Sequence, residues 1–555
     1  MDRKEFIKMM STAKLYDLTQ QCGLRTPPWP GDKSFEAHYF KRVTGAYGGG
    51  QGANGQILNW SNTVGTHLVG ERAFHSGGRA ISDIPLTDLC GPGVVVDISD
   101  DVSDYSLYTP EMITNKVDVK KGDILIINTG YHRYSWDQPD TFNKDAQGGV
   151  ENKEFGFLVR HPGPSPDFYQ WAIDKELKLI GVDCGSAEHP MNTPIRRMHE
   201  VDFELAEAKL KAEYGKSWDE MFPQDEYYEM THHTMVDNHL LMVESIVGEI
   251  DELNNKRAWI AVMPIPFVEV ESAWSRVAAY TAPDGMSEDD FFKAMRKSNM
   301  YDMTVPFSVQ TPQWANYEPL SIKYHKRVGG QFFGMGRNNA ICNASIHLGS
   351  HMDGEIHYYP RGRTIGETPL DFWVGPGVVA DISAKVSNSS VYTPAMIEES
   401  VDMQDGDILI IKTGWARFGW VSKDSDEFRY MIKHPGPSPD FAEWAIKRKV
   451  KWIGIDCVAA DHPMNTIQRL WHPKTFEEAN RKLIEDFGKD WDEMFPLDQY
   501  YQDMHYNMFP HHIVHAENLG GDIVNMPGGR YYIGCFLQRV MEAESMWARF
   551  VAFKE

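Results

Sequence analysis

Residues 347–357 read His-Leu-Gly-Ser-His-Met-Asp-Gly-Glu-Ile-His, placing three imidazoles and a carboxylate at intervals of four, two and four residues. Imidazole and carboxylate are the ligands that suit Zn²⁺, Mn²⁺ or Fe²⁺. Gly and Ser between them let backbone and substrate approach closely. A solitary histidine is ordinarily a packed or solvated side chain, but this clustering favours a metal site. His347 and His351 would share a helix face at i, i+4. Asp353 and His357 fit that face poorly, so a strand or an irregular loop is equally compatible. The chemistry open to such a set is activation of a water and polarisation of a carbonyl by a divalent ion.

The elements that must position these residues are written twice along the chain. Gly91-Pro92-Gly93-Val94-Val95-Val96-Asp97-Ile98-Ser99 returns at 375–383, and Gly122-Asp123-Ile124-Leu125-Ile126-Ile127 returns at 406–411, both offset by 284. His161-Pro162-Gly163-Pro164-Ser165-Pro166-Asp167-Phe168 and Trp218-Asp219-Glu220-Met221-Phe222-Pro223 return offset by 273. The first half therefore carries 11 extra residues between Gly130 and His161, the length of a surface loop or lid. The period is far too long for a solenoid and predicts two homologous domains, residues 1–285 and 286–555, with the seam in the turn-rich run Thr281-Ala282-Pro283-Asp284-Gly285. Short, continuously apolar runs such as Ile124-Leu125-Ile126-Ile127 and Leu179-Ile180-Gly181-Val182 predict strands buried on both faces. Thr109-Pro110-Glu111 predicts a helix start, with Thr as the cap and Pro in the first turn. Strands alternating with helices give an α/β fold class.

Composition sets the outer limits. The chain has 555 residues, 42% apolar and 24% charged, enough for two or more cores. A net charge of −24 argues against nucleic acid or an anionic membrane as partner and leaves a small-molecule substrate open. The six cysteines are scattered without a CxxC pair, so neither a zinc ribbon nor a disulfide framework is indicated. No signal peptide and no membrane span are expected, and a cytoplasmic protein is the default.

The 347–357 stretch resembles the signature His-x-Gly-Thr-His-x-Asp-x-Pro-x-His of the cyclase-like metal hydrolases, which include bacterial kynurenine formamidases and isatin hydrolases. Ser350 stands for the Thr and Glu355 for the Pro. The resemblance implies that His347, His351 and Asp353 are ligands and that His357 is an acid/base or supporting residue. It implies Zn²⁺ or Mn²⁺, one or two ions per chain, and a mixed-sheet, barrel-like core of the swivelling β/β/α type in each half. The family's second ligand pair is a His and a Glu twelve residues apart before Asn-Leu, which here falls on His505 and Glu517. Members commonly carry one such unit per chain and pair, so this chain would be an intramolecular pseudo-dimer that could pair further.

Only the second half keeps the whole motif. At offset 284, Thr63 stands for His347, Val69 for Asp353 and Ala73 for His357, while His67 matches His351. His232 and Glu244 match the second pair. The first half is therefore expected to be a degenerate, non-catalytic scaffold, the alternative being a rearranged site on His67, Glu71 and His75. Glu355, Phe332, Trp314 and His512 are candidate substrate contacts. The aligned pair His239 and His512 has a structural reading as well, and His511 and His515 are expected at the surface or on the substrate side. Cys184, Cys457 and the repeated His189 and His462 are expected to be structural, and the Gly-rich run from Gly48 to Gly55 a flexible loop. The expected function is metal-dependent hydrolysis of a non-peptide amide, formamide or cyclic amide or imide. The alternatives are a metal-dependent lyase, dehydratase or cyclase on a small carbonyl compound, or a ligand-binding protein.

Overall fold

The structure is a computed structural model that describes residues 1–43, 52–75, 77–138, 142–143, 151–152, 154–329 and 336–555. Phe332 and the first half of the Gly-rich run, residues 48–51, lie outside the described residues. So does most of the 11-residue insertion, apart from a short antiparallel ladder between Phe142–Asn143 and Glu151–Asn152.

Each half folds into a mixed barrel of seven strands. In the first, Ser272–Thr281, Lys256–Pro264, Cys90–Asp97, Ile124–Asn128, Leu179–Val182, Leu241–Glu244 and His67–Val69 pair in that order, and the last closes onto the first. In the second, the ring runs Ser545–Lys554, Gly529–Leu537, Val374–Asp381, Ile408–Lys412, Trp452–Ile455, Val514–Glu517 and His351–Asp353. Lys14–Asp17 and Asn299–Asp302 add an outer strand to each ring. Four adjacent strands of each barrel are parallel. That arrangement explains their unbroken apolar composition: every residue of Ile124–Asn128 and of Ile408–Lys412 is buried, because helices cover one face and the barrel interior the other. The predicted cap forms, with Thr109 accepting from Met112 N at the start of Pro110–Thr114.

A four-stranded antiparallel sheet joins the halves. Its order is Ser321–Lys326, Asn339–Ser345, Gly55–Ser61, Glu36–Lys41. At its centre Asn343 pairs with Asn59, each the counterpart of the other at offset 284. The register is thus self-complementary, as in a two-fold symmetric interface built within one chain. Beneath it, Trp60 stacks on Trp274 and lies 4.9 Å from Trp547, in a buried cluster that runs through both halves. Two arginines repeat the symmetry. Arg276 binds Asp17 and donates to Leu537 O, while Arg549 binds Asp302 and donates to Pro264 O. All six cysteines are buried and unpaired. His189 and His462 are wholly buried, each accepting from the backbone two residues on, which is a structural role. Among the described residues no helix is long and apolar enough to cross a membrane.

Candidate metal centre

The 347–357 stretch is no helix. Asn339–Ser345 ends before His347, the chain turns through Gly349, and His351–Asp353 forms a strand. Gly349 takes φ +59°, and a Cβ there would lie 2.7 Å from the Phe307 ring, so glycine is required at this turn. Ser350 pins the turn by donating to Asn518 O (2.6 Å) and accepting from Val305 N (2.8 Å). Beyond it the period-two rule of strands takes over. His351 and Asp353 point to one face, and His351 is the cross-strand partner of Glu517. His515, two residues before Glu517, faces the same way. His505 arrives from the helix Asp503–Met508.

The ligand atoms converge on Asp353. His347 Nδ1 is 3.1 Å and His351 Nε2 3.3 Å from its Oδ1, and His505 Nε2 is 3.3 Å and His515 Nδ1 4.0 Å from its Oδ2. Glu517 lies 3.7 Å from His351 and 3.9 Å from His505. All are buried. The outward-facing nitrogens have partners that leave the inward ones free: His351 Nδ1 lies 2.9 Å from Gly349 O, His505 Nδ1 2.5 Å from Asp461, and His347 Nε2 3.0 Å from Glu544. Such outer partners fix tautomer and ring orientation in metal-bound histidines. Asp353 Oδ2 and His515 Nδ1 are buried without a hydrogen bond, and the donor set is wholly nitrogen and oxygen, so these residues fit a divalent cation.

Electrostatics agree with that fit. Burial opposes charge on His347, yet Glu544 and Asp353 raise it to about 10. Burial likewise opposes charge on His505, and Asp353 and Asp461 raise it to about 10. Burial and the neighbouring Asp353 push Glu517 up. The crowded carboxylates thus favour positive charge in the cavity. His357 behaves differently: burial and the charge of His347 hold it down to about 4, a neutral ring with its Nδ1 3.0 Å from Glu544. Two residues of the first half brace this corner. Asn54 N donates to His357 O (2.7 Å), and Gln56 N donates to Glu544 (3.2 Å).

The structure thus brings together His347, His351, Asp353, His357, His505 and Glu517, with Trp314 in the wall. It separates two of the candidate substrate contacts. Glu355 is buried but turned away, held by Arg363 (2.6 Å) and His512 Nδ1 (3.0 Å). His512 is an exposed side chain engaged in that pair, as His239 is with Glu71. A carboxylate so placed must be neutralised locally, and Arg363 does so outside the cavity, with His512 hydrogen-bonded beside it. His515 is not at the surface: it is fully buried in the ligand cluster, and the alternation His515-x-Glu517 on one strand is its signal. Glu544, Asp461, Tyr317 and Lys41 also escaped the sequence reading, because each comes from a segment remote from the motif.

In the first half no comparable cluster of three or more ligands exists among the described residues. His75 is exposed, and Glu71 is bound to Arg79 (2.7 Å) and His239 (2.9 Å), so the rearranged site does not form. His67 and His232 instead both lie 3.2 Å from Glu244. Arg337, from the second half, lines this pocket and lies 3.3 Å from Asp32, which also binds Lys326.

The Putative cyclase family model matches residues 16–189 and 301–462, one segment in each half and together more than half of the chain. The chain belongs to that family. Over 77 residues it is 32% identical to the kynurenine formamidase of Paracidovorax citrulli (strain AAC00-1), a stretch that spans 14% of this chain and only 34% of that protein. Isatin hydrolase A from Ralstonia solanacearum is similar at 18% identity, over 50% of this chain and 99% of that one, with a TM-score of 0.38. Isatin hydrolase A from Labrenzia aggregata, bound to benzyl benzoate, is similar at 16% identity over 48% and 98%, with a TM-score of 0.37.

Proposed function

We propose that the second half is a divalent-metal-dependent hydrolase that opens a non-peptide amide, formamide or cyclic amide or imide with water. The observation that carries this reading is the convergence of His347, His351, His505, His515 and Glu517 on Asp353, all buried and with ring nitrogens aimed inward. Zn²⁺ or Mn²⁺, one or two ions, held there would acidify a water and polarise the scissile carbonyl. His357 takes the proton from the attacking water at Nε2, its Nδ1 being turned to Glu544, and returns it to the leaving amine. Gln56 and Ser545, by binding Glu544, hold that carboxylate and so orient the His357 ring. Trp314, Tyr317 and Tyr358 wall the cavity and favour a flat, largely apolar substrate body. The first half serves as scaffold: it supplies Asn54 and Gln56 to this site and turns over nothing itself.

The test is hydrolysis of formamide and cyclic imide substrates in ¹⁸O water, with metal per chain measured alongside. Solvent ¹⁸O in the product, with turnover lost and metal retained in His357→Ala, is the expected result. Products without solvent oxygen would point to a lyase. Unchanged turnover in His357→Ala would remove that residue from the reaction.

A further inference from the structure

Each half lends a lysine to the other. Strand Glu36–Lys41 ends at Lys41, which reaches from the first half into the wall of the metal cavity. Its counterpart is Lys326, the last residue of Ser321–Lys326, which reaches from the second half toward the first half's pocket. Their surroundings differ at one position. Lys326 binds Asp32. The residue equivalent to Asp32 in the second half is Tyr317: each follows a tryptophan by three, and each closes the same turn, Asp32 N to Trp29 O (2.8 Å) and Tyr317 N to Trp314 O (2.9 Å). Lys41 therefore meets a phenol, with its Nζ 3.5 Å from Tyr317 Oη and 5.7 Å from the ring centre. Among the described residues no carboxylate forms an ion pair with Lys41, and it is the only lysine or arginine lining the cavity. Burial lowers the pKa of Lys41 against the field of Glu544, and that carboxylate is already held by His347, Ser545 and Gln56.

A half-buried ammonium without a counter-ion, on the wall of a reaction cavity, is costly unless something supplies the charge. In the first half Asp32 supplies it from within the chain. In the second half Tyr317 stands in that position, it brings no negative charge, and both it and Lys41 line the cavity. We propose that Lys41, with the Tyr317 hydroxyl beside it, binds a carboxylate carried by the substrate, so that the second-half site selects anionic amides. This rests on the hydrolase reading of the same site and makes the first half a contributor to specificity. Lys41 touches the substrate's anionic group and takes no part in bond cleavage.

The test compares two probes that differ in one group, formanilide and its 2-carboxylate (N-formylanthranilate), on metal-loaded full-length protein. Wild type is expected to favour the carboxylate in kcat/KM by at least about tenfold, the value of one charge-assisted hydrogen bond. Lys41→Gln should erase that preference mainly through KM, Lys41→Arg should keep most of it, and all three should hold the same metal. An unchanged preference in a folded, metal-loaded Lys41→Gln overturns the proposal. If neither probe is cleaved, the hydrolase reading fails for this substrate type, and calorimetry with anthranilate and aniline decides on Lys41 separately. Anthranilate binding that Lys41→Gln weakens at least about tenfold supports it. Binding that is absent in wild type, or indifferent to the substitution, sinks it.

Discussion

The two halves share a barrel, a register and most of their buried polar residues, yet they solve the same electrostatic problem differently. Each inherits a carboxylate-rich pocket at the end of its parallel strands. In the second half Asp353 and Glu517 face inward-aimed ring nitrogens, Asp461 and Glu544 hold outward ones, and a divalent ion would balance the charge. In the first, Thr63 and Val69 stand at two ligand positions and Ala73 at that of His357, and the carboxylates of Glu244 and Asp32 are balanced by protein cations. Burial opposes charge on His232, but Glu188 and Glu244 raise it to about 9, so it carries a proton at neutral pH. Burial also opposes charge on Asp32, yet Arg337 and Lys326 hold its carboxyl below the usual range. A carboxylate-rich pocket without a metal needs its charge balanced by the protein. Here Arg337 reaches in from the other half, and its own counterpart in the first half is Ala53.

The largest effect should come from removing the residue on which the ligands converge. Asp353→Ala is expected to lose all bound metal and to lower turnover by on the order of 10³ or more, the several kcal/mol that a cation contributes at the reacting carbonyl. Metal per chain by elemental analysis checks it. Metal retained in the variant would mean that the first half has rebuilt a site and that the contrast is false.

Next in size is the first half's internal ion cluster. Asp32→Ala strands Lys326 and Arg337 without their carboxylate and should destabilise the protein by roughly 3–5 kcal/mol. Tyr317→Phe at the equivalent position removes only a weakly held hydroxyl and should cost about 1 kcal/mol or less. Denaturant melts of the two variants compare them directly, and similar losses would show that Asp32 is no charge replacement. Smaller again is His515→Met, which installs the first half's residue at this position, Met242. Metal affinity should fall by about 10–100-fold with the fold intact. Unchanged affinity would make His515 a packing residue.

How far the sequence foretold this contrast depends on whether the information was local. The barrel strands were legible because parallel strands buried on both faces are continuous apolar runs, and the repeat showed that each element had a twin. The motif His347-x-x-x-His351-x-Asp353 was legible for the same reason, since its members are neighbours in the chain. Glu355 misled because adjacency in sequence is not adjacency in space: it sits in a short 3₁₀ turn, where its carboxylate swings to Arg363 and away from the cavity. His515 is legible only from the two-residue alternation of Val514–Glu517, which sets it on the face of Glu517. Lys41, Arg337, Asn54 and Gln56 could not be found this way at all. They act in the opposite half, and only the pairing of Asn339–Ser345 with Gly55–Ser61 reveals which residues cross.

The finest test of the contrast is its pH dependence. The folded-state value of His232, about 9, lies above the ordinary 6.5 of histidine, so its protonation contributes stability that is fully present below about pH 6.5 and is lost as pH rises through about 9. His232→Gln should therefore be less stable than wild type by up to a few kcal/mol at neutral pH, and the gap should close above about pH 9. Thermal melts of the metal-loaded proteins across this range isolate the first half, because ligands held by a cation in the second half no longer titrate there. A gap that stays constant with pH would mean that His232 is neutral, and that Arg337 and Lys326 alone replaced the lost ion.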